Sequence, residues 1–435
     1  MDYLSHNTQS EPKIKILWLT YDFPYFPAIG PCARQFFLIR ELSQKCDIYL
    51  LSGIKADELD HIKSIQPYCK KVEYAISRTG RTKGLAYSLL IRKNTRFKNL
   101  SFYHKLCYLI QLIEITFDPT PRFCYRHEII WRELRPHAVS LLKEISFDFI
   151  VAEHSDIAHW VTGLNFHGKK ILAAHNVKSL LWLRHARALR PWLSRFLARV
   201  KAIQFYFYER KFMHLFDLLC VTSKKDGELL QKINPRIKKM TVTSNGVDTA
   251  YFQSNSPGYN PNKLLFIGTF DYEINEDACL WLLREILPEI KAKRPDIDLD
   301  IIGRKAPPSI RQFESNSIHI HETVSDIRSF MQKAAVFVVP LRAGSGTRLK
   351  ILDGMAMRKA IVSTSIGAEG IDYSHGENII IADTAQEFAQ AIIDLMAHPN
   401  QIESLGKKAR QMVEKTYDWK IIGTKYLHEI KNLQT

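Results

Sequence analysis

The chain has 435 residues, 46% hydrophobic and 24% charged, with a formal net charge of +16. That length exceeds one ordinary core and favours two domains of roughly 200 residues, with the composition of a soluble globular protein. The seven cysteines are scattered without a C-x-x-C pair, so neither a zinc site nor a disulfide framework is suggested, and a reducing cytoplasm fits. The opening "MDYLSHNTQSEPK" lacks the basic flank and apolar core of a signal peptide. No run of about 18 apolar residues occurs, so no membrane span is expected. Residues 1–250 hold 39 Lys/Arg against 22 Asp/Glu, whereas 251–435 hold 22 against 23. The excess lies wholly in the first half. It is densest in 78–113, with eight basic side chains and no acid, and in 169–211, with eleven against Glu209 alone. Such asymmetry points to an anionic partner of that half, or to a solvated basic face.

In chain order, "KIKILWLTY" (13–21) reads as a buried strand, followed by the turn-rich "DFPYFPAIGP", the helix "ARQFFLIRELSQ" and the strand "CDIYLLS". "FDFIVAEHS" and "KKILAAHNV" are further strands ending in polar residues, and "FDLLCVTS" and "KMTVTSNGVD" close the first half. The polar stretch "SNSPGYNPN" (254–262) marks a linker. The rhythm restarts with "KLLFIGTF", the helix "EDACLWLLREILPEIKAK", "DIDLDIIG", "SIHIHETV", the helix "SDIRSFMQKA", "AVFVVPL", a glycine loop with its helix, "KAIVSTS" and "NIIIAD". Apolar strands alternating with helices imply parallel sheets covered on both faces. In such sheets ligands bind beyond the carboxyl ends of the strands. In the first half that rule selects Gly30, Glu153, His154, His175 and Asn176, the last a candidate cap for a helix beginning at Val177. In the second half it selects Gly268–Asp271, Gly303, Arg304, His321, Glu322 and the glycine loop. "DIDLD" (296–300) enters its strand instead of leaving it, so it reads as a solvated strand start and no metal is inferred.

The loop within "VVPLRAGSGTRLKILDGMA" (338–356) carries the strongest signal. Gly344 and Gly346 let backbone amides approach an oxyanion. The following helix offers N–H groups and a positive dipole end. Arg348 and Lys350 stand at that amino end against the dipole's preference, which argues for an anion there. Asp353, five residues after Arg348, suits paired hydroxyls such as those of a ribose. The spacing fits neither a P-loop nor a dinucleotide fingerprint.

These residues resemble the carboxyl domain of group 1 glycosyltransferases, glycosyltransferase family 4. They are most similar to a branch with a basic G-x-G-T-R-L-K loop. "SNGVDTAYF" resembles the family's interdomain N-G-V-D signature, and "AAHNV" its H-N-V strand end. The resemblance implies an α/β GT-B fold of two doubly wound Rossmann-like domains facing a cleft. An acceptor-binding domain would span 13–250 and a linker 251–262. A nucleotide-sugar-binding domain would span 263–417, and a terminal helix within 418–435 would return to the first domain. It further implies a retaining, metal-independent hexosyltransferase serving polysaccharide or glycoconjugate synthesis. A nucleotide-sugar would be the co-substrate, a glycan or lipid-linked molecule the acceptor, and no cofactor is implied. Arg348 and Lys350 would contact the donor diphosphate and Asp353 the ribose. Gly344, Ser345, Gly346 and Thr347 would give main-chain donors to phosphate and sugar. Gly268, Thr269, Asn275, Gly303, Arg304 and His321 would complete the donor side, with Gly30 and Asn176 on the acceptor side. His154 and His175 are the candidates across the cleft, with Glu153 competing for that role.

The chain departs from the family pattern at three places. Ser345 and Asp353 stand where the family has paired glutamates, Thr269 replaces a common basic residue, and Gly30–Pro31 replaces a glycine pair. The basic, aromatic segment "LWLRHARALRPWLSRFLARVKAIQFYFYERKF" has the make-up of an interfacial helix. A cytoplasmic enzyme peripheral to the inner membrane face is the corresponding expectation. Rival readings are an epimerase-like GT-B enzyme and a nucleic-acid-binding protein; the latter lacks any recognised motif.

Overall fold

A computed structural model describes residues 13–27, 30–77, 125–188, 192–254, 258–322, 324, 326–344 and 347–434. The basic stretch 78–113 lies outside the described residues, as do Ser345 and Gly346.

The first sheet contains β1 (Ile14–Thr20), β2 (Cys46–Lys55), β3 (Lys71–Ser77), β4 (Phe149–Glu153), β5 (Lys169–Ala174), β6 (Leu218–Val221) and β7 (Met240–Val242). They lie in the order β3-β2-β1-β4-β5-β6-β7 and all pair in parallel. The second contains β8 (Asn260–Ile267), β9 (Asp298–Ile302), β10 (Ile318–His321), β11 (Ala334–Val339), β12 (Ala360–Ser363) and β13 (Ile380–Ile381). Its order is β10-β9-β8-β11-β12-β13, again parallel. Central strands have helices on both faces, so their sequences are continuous apolar runs; every residue of β4 and β11 is buried. Strand order reverses between β1 and β4 and again between β8 and β11. Crevices that bind ligands open at such switch points.

The helices used below are α1 (Pro31–Leu42), α2 (Tyr125–Glu144), α3 (Lys178–Ala188), α4 (Trp192–Phe212), α5 (Glu273–Trp281), α6 (Leu349–Ala356), α7 (Ala385–Ala397) and α8 (Trp419–Lys431). Pro31 occupies the first turn of α1, where its missing N–H costs nothing, and Gly30 ahead of it has φ +67°. α8 closes on α1: Trp419 stacks on Phe37 at 5.5 Å, and a side chain at Gly423 would meet Cβ of Glu41. The last helix thus packs on the first domain while its preceding turn hangs from the second.

Several elements differ from the sequence reading. β3 and α2 were not expected. β8 begins at Asn260, inside the stretch read as linker. α3 starts at Lys178, not Val177, and its amino end is capped by a distant side chain, since Glu209 accepts from Lys178 N at 2.7 Å and from Ser179 Oγ at 2.6 Å. In "DIDLD", Asp300 is buried, not solvated; Lys263 at 3.1 Å and His321 Nε2 at 3.1 Å offset its burial.

Candidate active site

β11 ends beside β8 at the switch point of the second sheet, and the chain then runs through the glycine loop into α6. Arg348 is the residue that opens α6. Its guanidinium occupies the space that a Cβ at Gly344 would need, with Nη2 only 2.1 Å from that position; Gly344 has φ +130°. This glycine therefore makes room for a cation, beyond the backbone approach expected from sequence. Lys350 Nζ donates to Ile267 O, the last carbonyl of β8, at 2.6 Å and to Asn275 Oδ1 on α5 at 3.2 Å. Burial lowers the Arg348 pKa. It also pushes Lys350 down to about 7, with the Arg348 charge adding to the effect. Asp353, one turn further, is partly exposed, and desolvation pushes its carboxyl up to about 8. Thr347 Oγ1 donates to Gly370 O at 3.3 Å.

The surrounding loops shape the same mouth. Gly303 closes on Gly268, whose carbonyl oxygen would lie 2.2 Å from an added Cβ. Asn275 Nδ2 donates to Thr269 O at 2.7 Å, fixing the amide that holds Lys350. Buried Thr269 Oγ1 makes no hydrogen bond among the described residues. Arg304 is exposed and pairs with Asp271 at 2.9 Å, and His321 turns its ring to Asp300 and Phe330.

Across the gap, the switch point of the first sheet gathers a different set. Pairing of Glu153 with Ala173 places the residues after β4 and β5 side by side. His154 and His175 stack with ring centroids 4.3 Å apart, and Tyr21 stacks on His154 at 4.5 Å. Glu153 is fully buried beneath them and hydrogen-bonds His175 Nε2. Desolvation pushes Glu153 up to about 7 and holds both histidines well below their ordinary value. His154 has φ +80°, a costly backbone state for a side-chain-bearing residue. Gln35 Nε2 lies 3.4 Å from its ring, and Asp22 Oδ2 lies 3.9 Å away. Asn176 follows, partly exposed, and Gly30 lies at the start of α1 with open space beside its Cα.

Sequence reasoning missed three contributors. Arg34, buried in α1, donates from Nη1 to Ser244 O at 2.8 Å and Asn245 Oδ1 at 3.1 Å, tying α1 to the interdomain crossing. A cation on the apolar face of "ARQFFLIREL" was the available signal. Arg184 of α3 reaches the other domain: Nη1 donates to Gly344 O at 2.7 Å and pairs with Glu369 at 2.9 Å, which Lys225 also contacts at 2.7 Å. Both lie close enough to Arg348 to act on its charge, Glu369 raising its pKa and Arg184 lowering it.

This geometry has counterparts. Residues 261–398 match the family model for glycosyl transferases group 1. That segment runs from β8 through α7. An Anabaena protein, HepE, solved in complex with UDP and glucose, superposes with a TM-score of 0.61 at 13% identity, covering 96% of this chain and 100% of that one. The fold is GT-B. Among curated relatives, an uncharacterized 44.6 kDa protein in the cps region of Klebsiella pneumoniae is 29% identical over 36% of this chain and 43% of its own. The phosphatidyl-myo-inositol mannosyltransferase of Mycolicibacterium smegmatis is 25% identical over 42% of this chain and 49% of its own. The chain thus spans about half the length of these relatives, and the GT-B lobe with the glycine loop is the part that the family model covers.

Proposed function

We propose that the protein transfers a sugar from a nucleoside-diphosphate sugar to a glycan or lipid-linked acceptor. The observation that carries this reading is the placement of Arg348 and Lys350 together at the second switch point, beside the loop that Arg184 of the other lobe contacts. The match to glycosyl transferases group 1 and the UDP bound by a structural neighbour support it. As the anomeric C–O bond breaks, negative charge grows on the departing diphosphate. Cations already desolvated and fixed at that point stabilise the transition state more than the ground state. They do the charge neutralisation that a divalent metal supplies in other sites, so the reaction as read is metal-independent. Retention of the anomeric configuration follows from the family resemblance. Asp353 would receive ribose hydroxyls, and the near-neutral His154–His175–Glu153 wall would face the sugar and acceptor.

A thermal-shift screen of nucleoside diphosphates and their sugars tests the reading, because a ligand that binds only the folded chain raises its melting temperature. UDP or a related nucleotide should stabilise the protein, and Arg348→Ala should remove that shift. Retained affinity in Arg348→Ala overturns the assignment. Sugar-nucleotide turnover without any acceptor would favour the epimerase-like alternative.

A further inference from the structure

The long helix α4 divides into two faces. Its inner face, with Leu197, Ala198, Phe205 and Tyr208, is buried, and its carboxylate Glu209 is buried too, spent on capping α3. Its outer face exposes Trp192 at 78%, Phe196 at 51%, Ile203 at 57% and Phe207 at 54%. At about 100° per residue these four fall within an arc of about 60°, a stripe about 22 Å long. The exposed charged side chains of α4 itself are basic, Arg199 and Arg210 among them, and its one acid, Glu209, is buried. Single exposed apolar residues are ordinary, but a continuous aromatic and aliphatic stripe bordered by cations is not.

We infer that this face of α4 docks the protein on an anionic lipid bilayer, lying flat with the stripe in the headgroup boundary. The charge decides the occupant: a second copy would set cation against cation, whereas anionic headgroups complement them and the aromatic side chains enter the interface. α4 packs against α3, the helix that carries Arg184 to the cleft. The docked face and the cleft are therefore joined through two helices packed on each other, which would hold the active site near a membrane-borne acceptor. The surface itself is independent of the sugar-transfer reading, and its test needs no turnover.

The experiment is co-sedimentation of the full chain with vesicles of phosphatidylcholine alone or with about 30 mol% phosphatidylglycerol, at about 0.1 M salt. Partition onto the anionic vesicles should exceed that onto neutral ones by about tenfold or more and fall as salt is raised. Replacing Trp192, Phe196, Ile203 and Phe207 together by Ser should abolish it while the melting temperature is kept. Arg199→Glu/Arg210→Glu, which leaves the stripe intact, should lower binding to anionic vesicles alone, and it decides the matter if the fourfold variant fails to fold. Equal partition onto both vesicles overturns the inference. So does a correctly folded fourfold variant that still binds, or a dimer in sedimentation velocity that the fourfold variant dissolves.

Discussion

At the mouth of the first sheet the ionisable groups answer one another. Glu153 bonds His175, the histidines stack, and Arg34 is spent on Ser244 and Asn245. At the mouth of the second sheet two cations lie together, and among the described residues the Nζ of Lys350 hydrogen-bonds the neutral oxygens of Ile267 and Asn275. Burial acts on both mouths with different results. In the first it drives an acid up and two bases down, so the cluster tends to neutrality and forms a shaped wall. In the second it adds to the mutual repulsion of like charges, which an incoming anion relieves. The lesson is that the charge count of a half says little about the charge arranged at its mouth. The first half carries the whole net positive excess, yet its mouth is nearly neutral, while the balanced second half sets Arg348 and Lys350 side by side at its mouth.

Gly344→Ala should break the second mouth most cleanly without removing a charge. The added methyl would overlap the Arg348 guanidinium, and φ +130° is a state that alanine reaches only with strain of about 1–3 kcal/mol. Affinity for a nucleoside diphosphate, measured by calorimetry, should fall on the order of 10- to 100-fold. Gly258→Ala, where an added Cβ meets no atom of the described residues within 4 Å, is the control and should change nothing. Unaltered affinity in Gly344→Ala would show that the guanidinium's position is not what binds the anion.

A smaller effect sharpens the comparison through pH. Lys350 titrates at about 7 in the folded chain and near 10.5 when unfolded, so between those values the unfolded chain binds more protons. Stability therefore rises with pH across that window on account of this residue. Relative to Lys350→Met, the wild type should gain in melting temperature as pH goes from 7 to 10. A bound diphosphate restores the proton, so binding at pH 8 should take up about one proton, read as a dependence of the binding heat on the buffer's ionisation heat. Lys350→Met should lose that dependence. No difference between the two proteins would place the titrating group elsewhere.

Much of this architecture was legible because parallel strands buried on both faces leave unbroken apolar runs, as in "DFIVAE" and "AVFVVP". β3 was not, since it is an edge strand whose Tyr74 and Ile76 are exposed and whose pattern is mixed. α2 was hidden by the internal Pro136 and a polar make-up. The glycine loop could be read locally because its cations stand against the helix dipole. The contacts of Arg34, Arg184 and Glu369 could not, because their partners lie 144 to 211 residues away, and no spacing encodes such pairs. The burial of Asp300 escaped for the same reason: its compensation by Lys263 comes from the neighbouring strand.

The gentlest perturbation bears on whether the two mouths are separate at all. Arg184 leaves the first domain to bond Gly344 O and to pair with Glu369, both partly exposed at the side chain. A pair of that kind contributes at most about 1 kcal/mol, so Arg184→Ala should scarcely move the melting temperature. Its loss removes one tie across the cleft and one positive charge close to Arg348. Diphosphate affinity should therefore fall only severalfold, while the closed form of the cleft is populated less. Small-angle scattering should show a larger radius of gyration in the variant, and raised salt should produce the same opening in the wild type. If Arg184→Ala instead abolished diphosphate binding as fully as Arg348→Ala, the first domain would be part of the anion site, and the division between a neutral wall and a cationic mouth would have to be redrawn through α3.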